Sequence, residues 1–146
     1  MATPSTSGRT IQCVIVTPER AVLDEPADFV ALPMFDGELG VLPGRRPLIG
    51  RLGIGELRVK KGDVVRRFLI DGGFAQVRAN AVTVLTSKAQ PAEELQPTAV
   101  EQALQAAVTQ PARSPDELAA KQKAQKRARA QRRIIERLSR PNISLG

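Results

Sequence analysis

The chain has 146 residues, a formal net charge of +7, 42% hydrophobic residues, one cysteine and no histidine. That length suits one medium domain, or a small domain with an appendage. Without histidine there can be no His-based triad, most zinc sites are ruled out, and the usual near-neutral general base is missing.

The first ten residues, MATPSTSGRT, lack the apolar core of a signal peptide. They read as a disordered arm over 1–10, on a protein that stays where it is made. No apolar run approaches the ~18 to 20 residues of a membrane span. From there to about residue 88 the pattern is short and strand-like. The runs are IQCVIV (11–16), FVALPMF (29–35), GELRV (55–59), VVRRFLI (64–70), FAQVR (74–78) and AVTVLTS (81–87). They are rich in β-branched residues and bounded by Gly, Pro, Asp or Asn. In the first run Cys13 alternates with Ile11 and Ile15, as a small buried side chain would. It has no second cysteine for an internal disulfide. Lys60-Lys61-Gly62-Asp63 and Arg78-Ala79-Asn80 read as hairpin turns, with Asn80 able to adopt a positive φ. Several short strands with no helix between them predict an antiparallel sandwich or barrel over 11–90.

Within that region GELGVLPGRRPLIG (37–50) concentrates glycine, proline and two adjacent arginines. A Walker loop would need Lys-Ser or Lys-Thr after its second glycine, but Arg45-Arg46-Pro47 follows Gly44. Pro47 and Gly50 oppose the helix that a dinucleotide fingerprint requires. What remains is a corner. Asp36-Gly37 and Pro43-Gly44 are tight turns around a tiny strand, Glu38 to Leu42. Glu38, Arg45 and Arg46 are then exposed, and a solvated corner without a partner is the plain alternative.

After Gln90 the period changes. PAEELQP (91–97) reads as a Pro-bounded linker, and Thr98 with Glu101 reads as a capping box. Val100, Leu104, Ala107 and Val108 share one face of the helix that follows, which Pro111 ends. Ser114-Pro115-Asp116-Glu117 starts a second helix with an N-cap serine, a first-turn proline and two acids. It runs to about Arg140, before Pro141, for roughly 37 Å. The connection is short, so the two helices form an antiparallel hairpin over 91–140, leaving a tail at 141–146. The apolar face of the second helix is Ala120, Ala124, Ala128, Ile135 and Leu138. Alanines bury little area at ~25 cal/mol per Å², so the hairpin is expected to dock weakly and to move.

The charge sits in this helix. Between Asp116 and Arg140 nine basic residues face three acidic ones, which accounts for +6 of the total +7. An acidic partner would therefore meet the tail. One option is a nucleic-acid-binding β-domain whose basic helix releases counterions. The absence of Tyr and Trp leaves it few stacking platforms. A solvated helix face is the bland option. A small enzyme lacks a credible pair of acids.

GELGVLPGRRPLIGRLGIGELRV (37–59), FLIDGGFAQVRANAVTVLT (68–86) and QRRIIERL (131–138), in this order, resemble the epsilon subunit of F-type ATP synthases. The resemblance covers roughly residues 10 to 140. It implies a ten-stranded N-terminal antiparallel β-sandwich followed by a C-terminal two-helix hairpin. It implies a non-catalytic rotor subunit with no cofactor, peripheral on the cytoplasmic face of the bacterial inner membrane. The implied partners are the gamma subunit, the c-ring and, through the extended hairpin, an acidic segment of the catalytic beta subunits. The corner residues Glu38, Gly40, Pro43, Gly44, Arg45 and Arg46 would meet gamma and the c-ring, with Glu38 facing the ring. Lys123, Lys126, Arg127, Arg129, Arg132, Arg133 and Arg137 would form a regulatory helix that blocks ATP hydrolysis. Two features depart from the family pattern. Arg45 replaces a common histidine. Gln96 and Ala99 stand where some bacterial members carry an acid and an arginine for ATP, so ATP binding is not expected.

Overall fold

The computed structural model describes residues 10–139. The arm over 1–9, Arg140 and the tail from 141 onward lie outside the described residues. Eight strands precede two helices: β1 (Ile11–Val16), β2 (Ala21–Ala27), β3 (Phe29–Met34), β4 (Gly37–Val41), β5 (Leu48–Lys61), β6 (Val64–Arg78), β7 (Ala81–Leu85) and β8 (Ala89–Pro91). A 3₁₀ turn (Ala92–Glu94) then leads into α1 (Pro97–Thr109) and α2 (Pro115–Ser139).

Neighbouring strands follow the order β2-β1-β7-β6-β5-β3-β4, with β8 also on β6. Every pairing is antiparallel except β1 with β7. The path folds back on itself because β5 and β6, at 14 and 15 residues, serve two layers. The C-terminal part of β6 pairs with β7, and its earlier part (Phe68–Ile70) pairs with β8. Likewise Phe29–Ala31 of β3 lies against Arg58–Lys60 of β5. The structure has eight strands rather than the ten that the resemblance implies, because β5 and β6 run unbroken for 14 and 15 residues.

The bend in β6 falls at Gly72 and Gly73, with φ of 76° and 111°. A Cβ on Gly73 would lie 2.1 Å from the carbonyl oxygen of Leu85, so only glycine lets β6 and β7 approach this closely. The two expected hairpin turns form, with Gly62 at φ 60°, Ala79 at 51° and Asn80 at 60°. Prolines sit where a ladder tolerates a missing donor. Pro26 is on the edge strand β2, and Pro33 falls where β3 shifts register against β5.

Both layers contribute to one core. Ile11, Cys13 and Ile15 face inward on β1 and meet Val30, Leu57, Phe68 and Val84, all buried. Gln12, Val14 and Val16 face outward, as a period of two requires. Burial pushes the Cys13 thiol up to about 12, with smaller contributions from Glu25 and Asp24.

α2 packs on the outer face of the layer that contains the second half of β5 and the first half of β6, and α1 packs on α2. Leu69 there joins Ala92, Leu95, Ala130 and Ile134 in a second buried cluster. The start of α2 is as expected. Ser114 Oγ accepts the Glu117 N–H at 3.1 Å, and the Glu117 carboxylate accepts the Arg113 N–H at 2.7 Å.

The start of α1 differs from expectation. Gln96 is its N-cap, without a side-chain bond, and Pro97 is its first residue. The fixed φ of proline suits that first position, so Thr98 already lies inside the helix and forms no capping box. The expected apolar face of α2 needs correction too. Ala128 is buried, but Ala120 and Leu138 are exposed, while Ala130 and Ile134 are buried instead. On α1, Val108 is exposed. Because α2 packs against both α1 and the sandwich, its buried positions span a wider arc than a single stripe. Its hold on the sandwich therefore includes Ile134 as well as alanines.

Candidate functional site

Two surfaces carry the sequence-predicted residues, and a third is set apart by its exposed apolar side chains. The first is the β4 corner. Glu38 is the second residue of β4, exposed on an edge strand, and Arg45 and Arg46 follow in an exposed loop. Gly44, at φ 87°, donates its N–H to Asn80 Oδ1 at 2.8 Å, which ties this loop to the β6–β7 turn. Gly40 packs over the ring of Phe29, and Pro43 is half-buried. Glu38 also has an internal partner that sequence reasoning missed: Arg58 Nη2 donates to its Oε1 at 2.9 Å.

The second surface is α2 against the sheet. Sequence reasoning singled out seven of this helix's basic residues without distinguishing among them. In the structure two are committed to the sandwich. Arg127 Nε donates to Asp71 Oδ2 at 2.8 Å, and Nη2 lies 2.8 Å from the same oxygen. Arg137 donates to Glu56 Oε1, while Arg67 donates to Glu56 Oε2 at 3.0 Å. The two acceptor side chains are only 8% exposed for Glu56 and 11% for Asp71, so these pairs are screened less than pairs at the open surface. Lys123, Lys126, Arg129, Arg132 and Arg133 remain exposed. Arg132 lies 3.9 Å from Glu101 of α1. A cleft of about 300 Å³ between β4 and α2 is lined by Glu38, Glu56, Arg133 and Arg137 among others.

The third surface had no sequence signal beyond strand alternation. Ile49, Phe74 and Leu85 are 73%, 54% and 55% exposed. The register sets Phe74 opposite both Arg51 and Leu85, and Ile49 opposite Gln76. Alternation therefore puts these apolar side chains on one outer sheet face. At its margin the Arg51 guanidinium lies 4.6 Å above the ring of Phe35, itself 63% exposed. Among the described residues, no group of three or more metal-ligating side chains converges, and no helix is long and apolar enough to cross a membrane.

Residues 10–92, the sandwich with its flanking turn, match the family model described as the ATP synthase, Delta/Epsilon chain, beta-sandwich domain. The chain belongs to the ATP synthase delta/epsilon family. It is similar to the ATP synthase epsilon chain of Rhodopirellula baltica, 50% identical over 123 residues, which cover 84% of this chain and 96% of the relative. A match of that length reaches beyond the sandwich into the helices. The ATP synthase epsilon chain of Pelotomaculum thermopropionicum is 44% identical over 89 residues, 61% of this chain and 66% of that one.

Among solved structures, a chain of the Euglena gracilis mitochondrial ATP synthase OSCP/F1/c-ring assembly superposes with a TM-score of 0.77. It is 25% identical and covers 83% of this chain and 78% of that one. A chain of the Tetrahymena thermophila mitochondrial ATP synthase central stalk and c-ring has a TM-score of 0.68 at 15% identity, which speaks for the fold alone. Membership of the ATP synthase delta/epsilon family makes this chain a non-catalytic subunit of the rotor stalk. A nucleic-acid-binding function is not favoured, and two of the cations it would use are held by Asp71 and Glu56.

Proposed function

We propose that this chain mounts on the gamma subunit, meets the c-ring through the β4 corner, and couples ion-driven rotation to the catalytic head. The sandwich over 11–90 is the rotor-binding part and the hairpin over 91–140 the regulatory part. The observation that carries the rotor contact is the outer sheet face of Ile49, Phe74 and Leu85. Apolar side chains clustered on one face mark a surface that a partner covers. Glu38, Gly40, Pro43, Gly44, Arg45 and Arg46 lie at the adjoining corner and present mixed charge to the ring. In this role the subunit is peripheral, on the cytoplasmic side of a bacterial inner membrane, and reaches the membrane only through the complex. The hairpin regulates hydrolysis by leaving its docked position and extending toward an acidic segment of the catalytic beta subunits. Gln96 and Ala99 leave it without a nucleotide clamp.

The test is assembly. Ile49→Asp and Phe74→Asp together change exposed positions, so the isolated chain should fold normally and yet fail to co-purify with the ATP synthase from membranes. Normal recovery of the double variant with the complex would refute the assignment of this face.

A further inference from the structure

We propose that Glu56 is a switch carboxylate with two alternative arginine partners, Arg137 while the hairpin is docked and Arg58 once it has left, and that Glu38 sets the balance between them. Glu56 Oε1 accepts from Arg137, and its Oε2 accepts from Arg67. Arg58 Nε lies 4.0 Å from that same Oε1, just outside hydrogen-bond range. It is buried and has no hydrogen-bond partner among the described residues. A buried donor without an acceptor is costly. Here the nearby acceptor is already occupied by Arg137 of α2. The far end of the same guanidinium is anchored, because Nη2 donates to Glu38 at 2.9 Å.

When α2 leaves, Glu56 loses Arg137 and Oε1 becomes free. A shift of about 1 Å brings Arg58 Nε into hydrogen-bond range, so the undocked sandwich need not leave that oxygen unpaired. Arg58 thus favours the undocked state, although its charge contacts lie wholly within the sandwich. Glu38 restrains Arg58 by holding its other end. Loss of that hold frees Arg58 to compete with Arg137, so a cation that captures Glu38 from outside loosens the hairpin. Glu38 is half exposed at the β4 corner, and a neighbour can reach it there. This last link rests on the proposed rotor contact at that corner, whereas the exchange at Glu56 is a property of the chain alone.

The exchange is therefore tested on the isolated full chain. Ala130→Cys places a thiol where the residue is only 5% exposed under the docked helix and keeps Ile134 in place, so its labelling rate reports the undocked fraction. Cys13, fully buried in the sandwich, should stay unlabelled and reports that the sandwich is intact. In this background Arg58→Met should slow labelling about three- to tenfold, and Glu38→Gln should speed it by a similar factor. Arg58→Gln should act in the same direction as Arg58→Met, and it replaces that variant if Cys13 becomes reactive. Glu56→Gln should speed labelling, and on that background Arg58→Met should have no further effect. Labelling that is faster or unchanged in Arg58→Met would overturn the proposal. So would an effect of Arg58→Met that persists with Glu56→Gln, because simple repulsion between Arg58 and Arg137 would then account for it. These outcomes do not depend on whether the chain joins a rotor.

Discussion

Gly73→Ala should be among the most damaging single-methyl changes in this protein. The residue adopts φ 111°, a region nearly closed to side chains, which costs about 1 to 3 kcal/mol. The added Cβ would sit 2.1 Å from the Leu85 carbonyl oxygen and 2.9 Å from Thr86 Cα. Both obstacles are backbone, so no rotamer change relieves them. β7 must move away from β6 by about 1 Å, which weakens the ladder at the neighbouring Phe74–Leu85 pair and costs about 1 to 3 kcal/mol more. The total, about 2 to 6 kcal/mol, is a large part of the ~5 to 15 kcal/mol available to a domain. Gly62→Ala is the control. It also has positive φ, 60°, but nothing lies within 4 Å of its Cβ, so it should lose only about 1 to 2 kcal/mol. Urea unfolding of both variants, followed by circular dichroism, compares them directly. Equal midpoints would show that β7 yields freely, and the close approach at this bend would then have no energetic weight.

Ile134→Ala should undock α2 while leaving the sandwich transition in place. Truncating a buried isoleucine costs about 2 to 5 kcal/mol, and the expected sign is faster proteolysis of 115–139 with an unchanged melt of 11–90. Stability should fall as pH rises from 9.0, the ordinary thiol value, toward about 12. Below that window Cys13 is protonated in both states, and within it the unfolded chain binds fewer protons, so the slope approaches about 1.4 kcal/mol per pH unit. The measurement is the difference between the wild type and Cys13→Ala, and identical slopes would contradict the burial effect. Replacing the exposed Arg129, Arg132 and Arg133 together by Ala should raise ATP hydrolysis by the assembled complex, if these charges hold the extended hairpin against acids. Each exposed pair contributes ~0 to 1 kcal/mol, and equal rates at low salt would remove that role.

Much of the architecture is legible in local sequence because it is set by neighbours within a few residues. The alternation in IQCVIV, the turns at Gly62 and Asn80, and the Ser114-Pro115 start of α2 each carry their own steric or hydrogen-bonding cause. The ordered motifs of 37–59 and 68–86 are similarly local, and they carried the family resemblance. Features decided by distant partners were not legible. β2, with Asp24, Glu25 and Pro26 in AVLDEPA, does not read as a strand alone, and becomes one because β1 offers it an edge. VVRRFLI and FAQVR read as two separate short strands and GELRV as a strand of five residues, and it is the long β5–β6 register that joins the first two into β6 and extends the third into β5. The seven cations singled out on α2 are equivalent in sequence. Only the placement of Asp71 and Glu56 on the opposing sheet distinguishes Arg127 and Arg137 from the rest. Local sequence can specify a charge and the helix that carries it, but the choice of counter-charge depends on which surfaces meet, and that choice is made only by tertiary packing.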